Sequence, residues 1–230
     1  MKRLGLIGGM SHHSTLLYEQ AIHAGVQAAL GGNWSADLAV IYLPFEPIKQ
    51  LQTSGGWDEI GGQLATAASQ LEQIGAKAIM ITSNTVHRQA KDVEAVLGVP
   101  LLHITDPTAA ALLREKISKV LLLGTRFTME QDFISGRMNA RGIETLTPDA
   151  TDRAEINRII FDELCKGIFK PEATALFQDV VKKAQGQGAQ AVVLGCTEIT
   201  LVVKPHDLSL PLFDTTALHI ERAIQFCLEG

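Results

Sequence analysis

Short apolar runs alternate along the chain with longer stretches in which apolar residues recur at helical spacing. The runs are continuous in Val, Ile and Leu, which is typical of parallel strands buried on both faces. A helical pattern follows nearly every run, so the order of elements predicts βαβ units. The predicted strands are 4–7, 38–43, 78–81, 101–104, 119–123, 143–146, 191–194 and 212–214. The predicted helices are 14–30, 56–74, 86–97, 108–115, 130–140, 152–167, 171–187 and 215–229.

An internal repeat divides this pattern into two similar halves. Matching segments recur in the same order, which is the mark of a duplicated unit. Residues 3–8 match 119–124, residues 75–83 match 188–196, and residues 100–105 match 211–216. The predicted fold class is therefore α/β: two similar Rossmann-like lobes with parallel sheets, related by pseudo-twofold symmetry, with the site in the cleft between them. The first lobe is expected to contain residues 1–103 and 211–230, and the second residues 104–210.

Composition narrows the class of protein. The 230 residues are 46% hydrophobic and carry a formal net charge of −5, with no basic cluster, so a nucleic-acid partner is not expected. No apolar run reaches the roughly 18–20 residues that span a bilayer. The amino-terminal segment MKRLGLIGGM is interpreted as a strand entering a glycine loop rather than as a signal peptide. We therefore expect a cytoplasmic protein without a membrane partner.

Polar and small residues follow several predicted strands. In parallel α/β sheets, ligands bind beyond the carboxyl ends of the strands, so these segments are the candidate site. They are residues 8–11, 82–87, 125–128 and 195–198. Several precede helices, whose exposed N–H groups favour a carboxylate. The glycine loop 8–9 lacks a nucleotide-binding pattern and is interpreted either as a tight turn or as a close approach to a small acid.

The three cysteines differ in their surroundings. Cys165 and Cys227 fall in helical patterns and are interpreted as core residues. Cys196 directly follows a buried strand, where a helix amino terminus would lower the pKa of its thiol. Ser83 occupies the matching position of the first half. A pseudo-twofold axis would point the two side chains at one another, as one-site racemisation at a carbon atom requires.

Other candidate groups carry weaker signals. His12 and His13 flank the glycine loop without a metal-binding spacing, so no metal is expected. His87 lies four residues beyond Ser83, either as a neighbour of the site or as a structural histidine. No GxSxG nucleophile motif and no lysine context typical of pyridoxal phosphate is present, so no cofactor is expected.

At these positions the chain resembles the aspartate/glutamate racemase superfamily, and specifically its aspartate racemase branch. The resemblance covers essentially the whole chain and rests on the segments GLIGGMS, SNTVH, LLGTRFTMEQDF, INRIIFDELCKG and GCTEI. It implies a cofactor-independent enzyme of two Rossmann-like lobes that forms a homodimer and acts on a small acidic amino acid.

The resemblance also assigns roles to individual residues. Cys196 corresponds to the second catalytic cysteine of the family, and Ser83 stands where most members have the first. The implied substrate-binding residues are Met10, Asn84, Thr85, Thr128, Lys166 and Thr197. Lys166 would receive the side-chain carboxylate, while Gln52, together with Lys49, is expected to tune the pocket.

Two departures from the family affect the chemistry. Glutamate racemases carry a histidine after GCT, whereas this chain has Glu198, which favours the aspartate branch and removes one proton-relay residue. A serine hydroxyl is a far weaker acid than a thiol. We therefore expect an unequal pair, in which Cys196 is the competent base for one enantiomer and Ser83 the weaker partner for the other. Ser83 is equally consistent with a natural serine and with a serine introduced by mutation to trap the substrate.

The predicted function is a racemase that interconverts the L- and D-forms of aspartate or glutamate by proton transfer at Cα between Cys196 and Ser83. A decarboxylase or cis–trans isomerase of small dicarboxylates from the same superfamily is the first alternative, because a lone cysteine suits one-sided protonation of an enolate. The second is a non-catalytic protein that binds a small acid.

Overall fold

The structure, a computed structural model, describes residues 1–229 and divides into two compact units. The first unit contains residues 1–104 and the described residues from His219 onward. The second contains residues 105–218. No described helix combines the length and the apolar character needed to cross a bilayer.

The first unit has a parallel sheet in the order β2-β1-β3. Its strands are β1 (Leu4–Gly8), β2 (Leu38–Tyr42) and β3 (Ala78–Ile81). Leu4 aligns with Leu38 on one side and with Ala78 on the other. Leu101 adds an isolated parallel bridge to Ile79, so the predicted strand 101–104 is reduced to a single pairing.

Helices cover the faces of this sheet. They are α1 (His12–Leu30), α2 (Phe45–Ser54), α3 (Trp57–Gln73), α4 (Ala90–Glu94) and most of α10 (Thr215–Leu228), with a 3₁₀ turn at Thr85–Gln89. Tyr18, Ile22 and Val26 recur every four residues along α1, which places them on one face of the helix. All three are buried with Ala223 and Phe226 of α10 in the same core.

The second unit has a four-stranded parallel sheet in the order β5-β4-β6-β7. Its strands are β4 (Lys119–Gly124), β5 (Glu144–Leu146), β6 (Ala191–Gly195) and β7 (Leu212–Asp214). Its helices are α5 (Thr105–Arg114), α6 (Arg126–Glu130), α7 (Asp132–Asn139), α8 (Ala150–Asp162) and α9 (Pro171–Gly186), with 3₁₀ turns at Leu164–Lys166, Thr197–Leu201 and Pro205–Asp207. One core packs α8 and α9 against the sheet, and a second packs α5 and α7 against it.

The two parallel sheets confirm the predicted α/β fold class, but the last strand requires a correction. Residues 211–230 were expected to complete the first lobe. Instead β7 pairs with β6 across Val192–Leu194 and belongs to the second unit. The units divide between residues 218 and 219, inside α10, because the carboxyl-terminal part of that helix packs with the core of the first unit.

The sheet orders agree with the internal repeat. β1 and β4 lie between two neighbours in their own sheets, and β3 and β6 each pair with the central strand. Leu101 bridges to β3 as β7 pairs with β6. The repeat found in the sequence is therefore a repeat of topology within each unit.

Candidate active site

The glycine loop after β1 is a tight structural turn. Gly9 has a φ of +94°, and a Cβ at this position would overlap the backbone of Leu43. The Gly9 N–H donates to Thr15 Oγ1 at 2.9 Å, so this amide is already occupied. These contacts favour the turn interpretation of residues 8–9 over backbone recognition of a substrate by Gly9.

A hydroxyl network joins this loop to the end of β3. Thr15 Oγ1 lies 2.9 Å from Thr82 Oγ1, and Ser14 Oγ donates to the Thr82 carbonyl at 2.8 Å. Thr15 also donates to the Ser11 carbonyl at 3.1 Å. Because Ser14, Thr15 and Thr82 are buried, these bonds are sheltered from water and fix the start of the segment that carries Ser83.

Ser83 directly follows Thr82 and is partly exposed. Asn84 is buried, and Thr85 begins the 3₁₀ turn. His87 Nδ1 lies 2.7 Å from the Ser83 carbonyl, which ties the turn back to the serine. Met10 and Ser83 follow neighbouring parallel strands, so the structure brings them to the same edge of the first sheet.

Cys196 follows β6 in the second unit and is 8% exposed. Its thiol donates to Glu198 Oε2 at 3.0 Å. The sequence indicates Glu198 only as a departure from the histidine of glutamate racemases and does not predict its contact with the thiol. The spacing could have indicated it, because a turn after the strand brings residues two apart together.

The electrostatics of this thiol differ from the sequence-based expectation. Burial raises the pKa of Cys196 well above its usual value, and the Glu198 carboxylate raises it further, while the Glu198 backbone N–H acts in the opposite direction. The expected lowering of this pKa is wrong, first because the thiol is buried, and for two further reasons. Only a five-residue 3₁₀ turn follows, and a carboxylate adjoins the sulfur. Formation of a thiolate here would require a proton acceptor, and the Glu198 carboxylate is in contact with the thiol.

Thr197 directly follows Cys196 in the chain, whereas the segment that carries Lys166 is a neighbour of that turn in the fold. Thr197 begins the 3₁₀ turn, and the segment Leu164–Lys166 packs against that turn. The ammonium of Lys166 contacts Asp162 at 3.3 Å, and both side chains are 59% exposed. Because exposed ion pairs of this kind contribute little, Lys166 can exchange this partner for a ligand carboxylate.

Thr128 and Gln52 are less accessible to a substrate than Lys166, because both side chains are buried. Thr128 is fully buried, with its hydroxyl 3.3 Å from Thr125 Oγ1. Its methyl group faces Gly124 and Gly195, where added Cβ atoms would lie 2.8 Å from it. This packing is the counterpart of Thr15 against Gly8. Gln52 is 8% exposed on α2. Substrate contacts of both residues stay predictions.

The other cysteines differ from Cys196. Cys227 is fully buried in the core of the first unit, as predicted, and burial raises its pKa to about 11. Cys165 is exposed rather than buried, which corrects its interpretation as a core residue. Within residues 1–229, no group of three or more His, Cys, Asp or Glu side chains could hold a metal ion.

Comparisons with known proteins agree with the α/β fold of two parallel sheets. The family model of the Asp/Glu/Hydantoin racemases matches residues 7–223. A Yersinia pestis protein assigned to the Asp/Glu racemases has 47% sequence identity and a TM-score of 0.95, with both chains fully covered. An aspartate racemase homologue from Pyrococcus horikoshii OT3 has 32% identity and a TM-score of 0.85, again over both whole chains.

A curated relative extends the comparison to a named activity. The broad specificity amino-acid racemase RacX of Bacillus subtilis (strain 168) is 24% identical over 223 residues, which is 93% of each chain. The family model alone spans most of this chain, from β1 to α10. The chain therefore belongs to the Asp/Glu/Hydantoin racemase family.

Proposed function

We propose that this protein is a cofactor-independent racemase that interconverts the L- and D-forms of an acidic amino acid, aspartate or glutamate. The observation that carries the proposal is the buried Cys196 thiol, which donates to Glu198 at 3.0 Å at the end of β6. Ser83 follows β3, the strand that matches β6 in the repeat. Family membership and the named activity of RacX support the reaction class.

The proposed chemistry is proton exchange at Cα. Glu198 accepts the thiol proton, and the Cys196 thiolate then takes the α-proton from one face of the substrate. The resulting carbanion is protonated on the other face by the Ser83 hydroxyl. Proton exchange with solvent then restores the starting states of serine, thiol and carboxylate. In the reverse direction Ser83 has to remove the α-proton. A serine hydroxyl is poorly suited to this because it is a far weaker acid than a thiol and is rarely deprotonated.

Substrate recognition is assigned to the surrounding strand ends. In the proposal, the α-carboxylate binds the polar groups of Asn84, Thr85 and Thr197, and Lys166 receives the side-chain carboxylate. Lys166 supports this role because its exposed contact with Asp162 is readily exchanged. The charge of Lys166 therefore favours acidic amino acids over neutral ones.

Deuterium exchange tests this function directly. L- and D-aspartate and L- and D-glutamate are incubated separately in D₂O without pyridoxal phosphate, and both α-deuteration and optical purity are followed. Cys196→Ser is expected to slow exchange by roughly 10²–10⁴-fold, the range of general acid–base catalysis. Cys227→Ser is the matched control, because it removes another buried thiol, in the other unit.

The alternatives give different results in the same experiment. A decarboxylase or cis–trans isomerase would act on malonates or maleate and leave the amino acids unchanged. A binding protein would retain amino-acid binding in Cys196→Ser and show no solvent exchange in the wild type. Wild-type protein that exchanges none of the four amino acids would refute the proposed racemisation of acidic amino acids.

The proposal also includes a homodimer in the cytoplasm. The dimer is implied by the family resemblance. The location is supported by Cys165, Cys196 and Cys227, since none is in a disulfide and thiols persist in reducing compartments.

A further inference from the structure

Three histidine side chains are buried together in the first unit, behind Ser83. His87, His103 and His219 are at most 2% exposed. The ring of His87 lies 4.6 Å from that of His103 and 5.9 Å from that of His219, centroid to centroid, in edge-on arrangements. The proposed reaction uses none of these imidazoles, although His87 contacts the residue that carries one reacting group.

The hydrogen bonds of His87 define its tautomer. Nδ1 lies 2.7 Å from the Ser83 carbonyl oxygen, which only accepts, so Nδ1 carries the hydrogen. The Ile104 backbone N–H donates to Nε2 at 3.3 Å, so Nε2 presents its lone pair. His87 is therefore a neutral imidazole that holds Ser83 on one side and Ile104 on the other.

His219 holds the same segment from another element. Its Nε2 lies 2.6 Å from the Leu102 carbonyl oxygen, and Tyr18 Oη lies 2.9 Å from its Nδ1. Leu102 in turn donates its N–H to the Ile79 carbonyl of β3 at 2.8 Å. The segment Leu102–Ile104 is thus fixed to β3, α10 and His87, and gives His87 a rigid anchor.

The second half of the repeat has no histidine at the position equivalent to His87. The residue that matches His87 at the offset of the Ser83–Cys196 pair is Thr200, whose hydroxyl donates to the Thr197 carbonyl at 2.7 Å. The contact that the structure shows for the Cys196 side chain is instead with Glu198. Any effect of His87 on proton transfer should therefore be confined to the serine side.

We propose that His87 is a positioning residue for Ser83. Its Nδ1–H donates to the Ser83 carbonyl, its Nε2 accepts from the anchored Ile104 N–H, and together these bonds orient the serine hydroxyl. The inference rests on the proposed racemisation. A serine hydroxyl is a weak proton donor, so its transfer depends strongly on alignment. Misplacement of a reacting group by about 1 Å can slow a reaction by roughly a hundredfold.

Two substitutions separate the bonds of His87. Asparagine places an amide N–H near the position of Nδ1, so His87→Asn keeps a donor for the Ser83 carbonyl. Glutamine places a carbonyl oxygen near the position of Nε2, so His87→Gln keeps an acceptor for Ile104 and loses the donor. Each variant loses one hydrogen bond of the pair, which makes them matched controls for stability, checked by thermal unfolding.

The readout is α-deuterium exchange from each enantiomer, measured separately with kcat and KM. Ser83→Ala first identifies the enantiomer whose exchange depends on serine. For that enantiomer, we expect His87→Gln to lower kcat by about tenfold or more, within the range that misalignment produces, while His87→Asn stays closer to wild type. Exchange from the other enantiomer should stay close to wild type in both variants.

Two results would overturn the inference. One is equal slowing of both enantiomers by both variants, which would indicate a general structural role. The other is a ¹⁵N NMR spectrum of the wild type that shows His87 protonated at Nε2. The spectrum does not depend on activity. Wild-type protein that exchanges no amino acid would therefore refute the proposed function, while the tautomer still decides whether His87 holds Ser83.

Discussion

At the scale of single residues, Cys196 and Glu198 form a pair whose two effects oppose one another. The carboxylate contacts the thiol at 3.0 Å and, after burial, is the next largest cause of its raised pKa. In the proposed mechanism, the same carboxylate accepts the thiol proton. A structural role and a catalytic role for Glu198 therefore predict different outcomes when the charge is removed.

Glu198→Gln should make the thiol more acidic and the enzyme slower. Loss of the carboxylate removes its repulsion of the thiolate, so the pKa of Cys196 falls, and iodoacetamide should alkylate Cys196 faster at neutral pH. Loss of the proton acceptor should slow α-deuterium exchange by roughly a hundredfold, within the range for general acid–base groups. Peptide-resolved mass spectrometry measures the alkylation, with Cys227 of the other unit as the internal control.

The contrary results are equally specific. Faster alkylation with unchanged exchange would show that Glu198 only perturbs the thiol. Slower exchange with unchanged alkylation would show that the carboxylate does not govern its pKa.

The sequence located Cys196 correctly after a buried strand but did not predict its electrostatics. A strand end can be recognised from the run of apolar residues in β6. The direction of a pKa shift depends on burial and on where the Glu198 carboxylate lies, which are properties of the folded turn. His87 shows the same limit: the sequence allows either a neighbour of the site or a structural histidine, and the bond to Ile104 requires the tertiary fold.

At the scale of elements, the loop between β1 and α1 is built around Gly9. Its φ of +94° and its approach to Leu43 are open only to glycine, and its N–H joins the hydroxyl network that leads to Thr82. Gly62 in α3 is a useful contrast, because a Cβ there would meet no atom within 4 Å.

Gly9→Ala should destabilise the protein, whereas Gly62→Ala should stabilise it. An alanine with positive φ costs about 1–3 kcal/mol, before the overlap with Leu43 is counted. In a helix interior, glycine is less stable than alanine by about 0.5–1 kcal/mol. Urea denaturation measures both changes. A Gly9→Ala variant as stable as wild type would contradict the account of this loop.

Element prediction succeeded where hydrophobic periodicity was strong and failed where polar residues or pairing decided the outcome. α1 and α9 begin and end within about two residues of their predicted positions. α2 was missed because its sequence FEPIKQLQTS is mostly polar and carries Pro47, which the first helical turn accommodates. The predicted helix 86–97 begins as a 3₁₀ turn, where the bonds of His87 fix the backbone.

At the scale of the whole molecule, the duplication was visible in the sequence, but the destination of its last strand was not. The match of residues 211–216 with residues 100–105 indicated equivalent positions, and Leu101 does pair with β3 as β7 pairs with β6. The error lay in assigning the strand and its helix to one unit. β7 stays with its own sheet, and the chain changes unit only inside α10.

A duplicated chain with one thiol and one hydroxyl should be an unequal racemase. Glu198 stands beside Cys196, whereas Thr85, its counterpart at the same offset, stands after Ser83. The serine position thus lacks both the more acidic atom and the carboxylate acceptor. In D₂O, initial α-deuteration should be faster from one enantiomer than from the other. Equal initial rates would contradict this asymmetry.

Ser83→Cys tests the cause of that asymmetry. A thiol is a far stronger acid than a hydroxyl, so the variant should accelerate α-deuteration of the slow enantiomer and change the fast one little, because Cys196 and Glu198 are untouched. Thr85→Glu in the same background should place a carboxylate beside the new thiol, as Glu198 stands beside Cys196. It should raise the pKa of that thiol and so slow its alkylation. If Ser83→Cys leaves the slow enantiomer unchanged, the hydroxyl is not the source of the inequality, and the two halves differ for another reason.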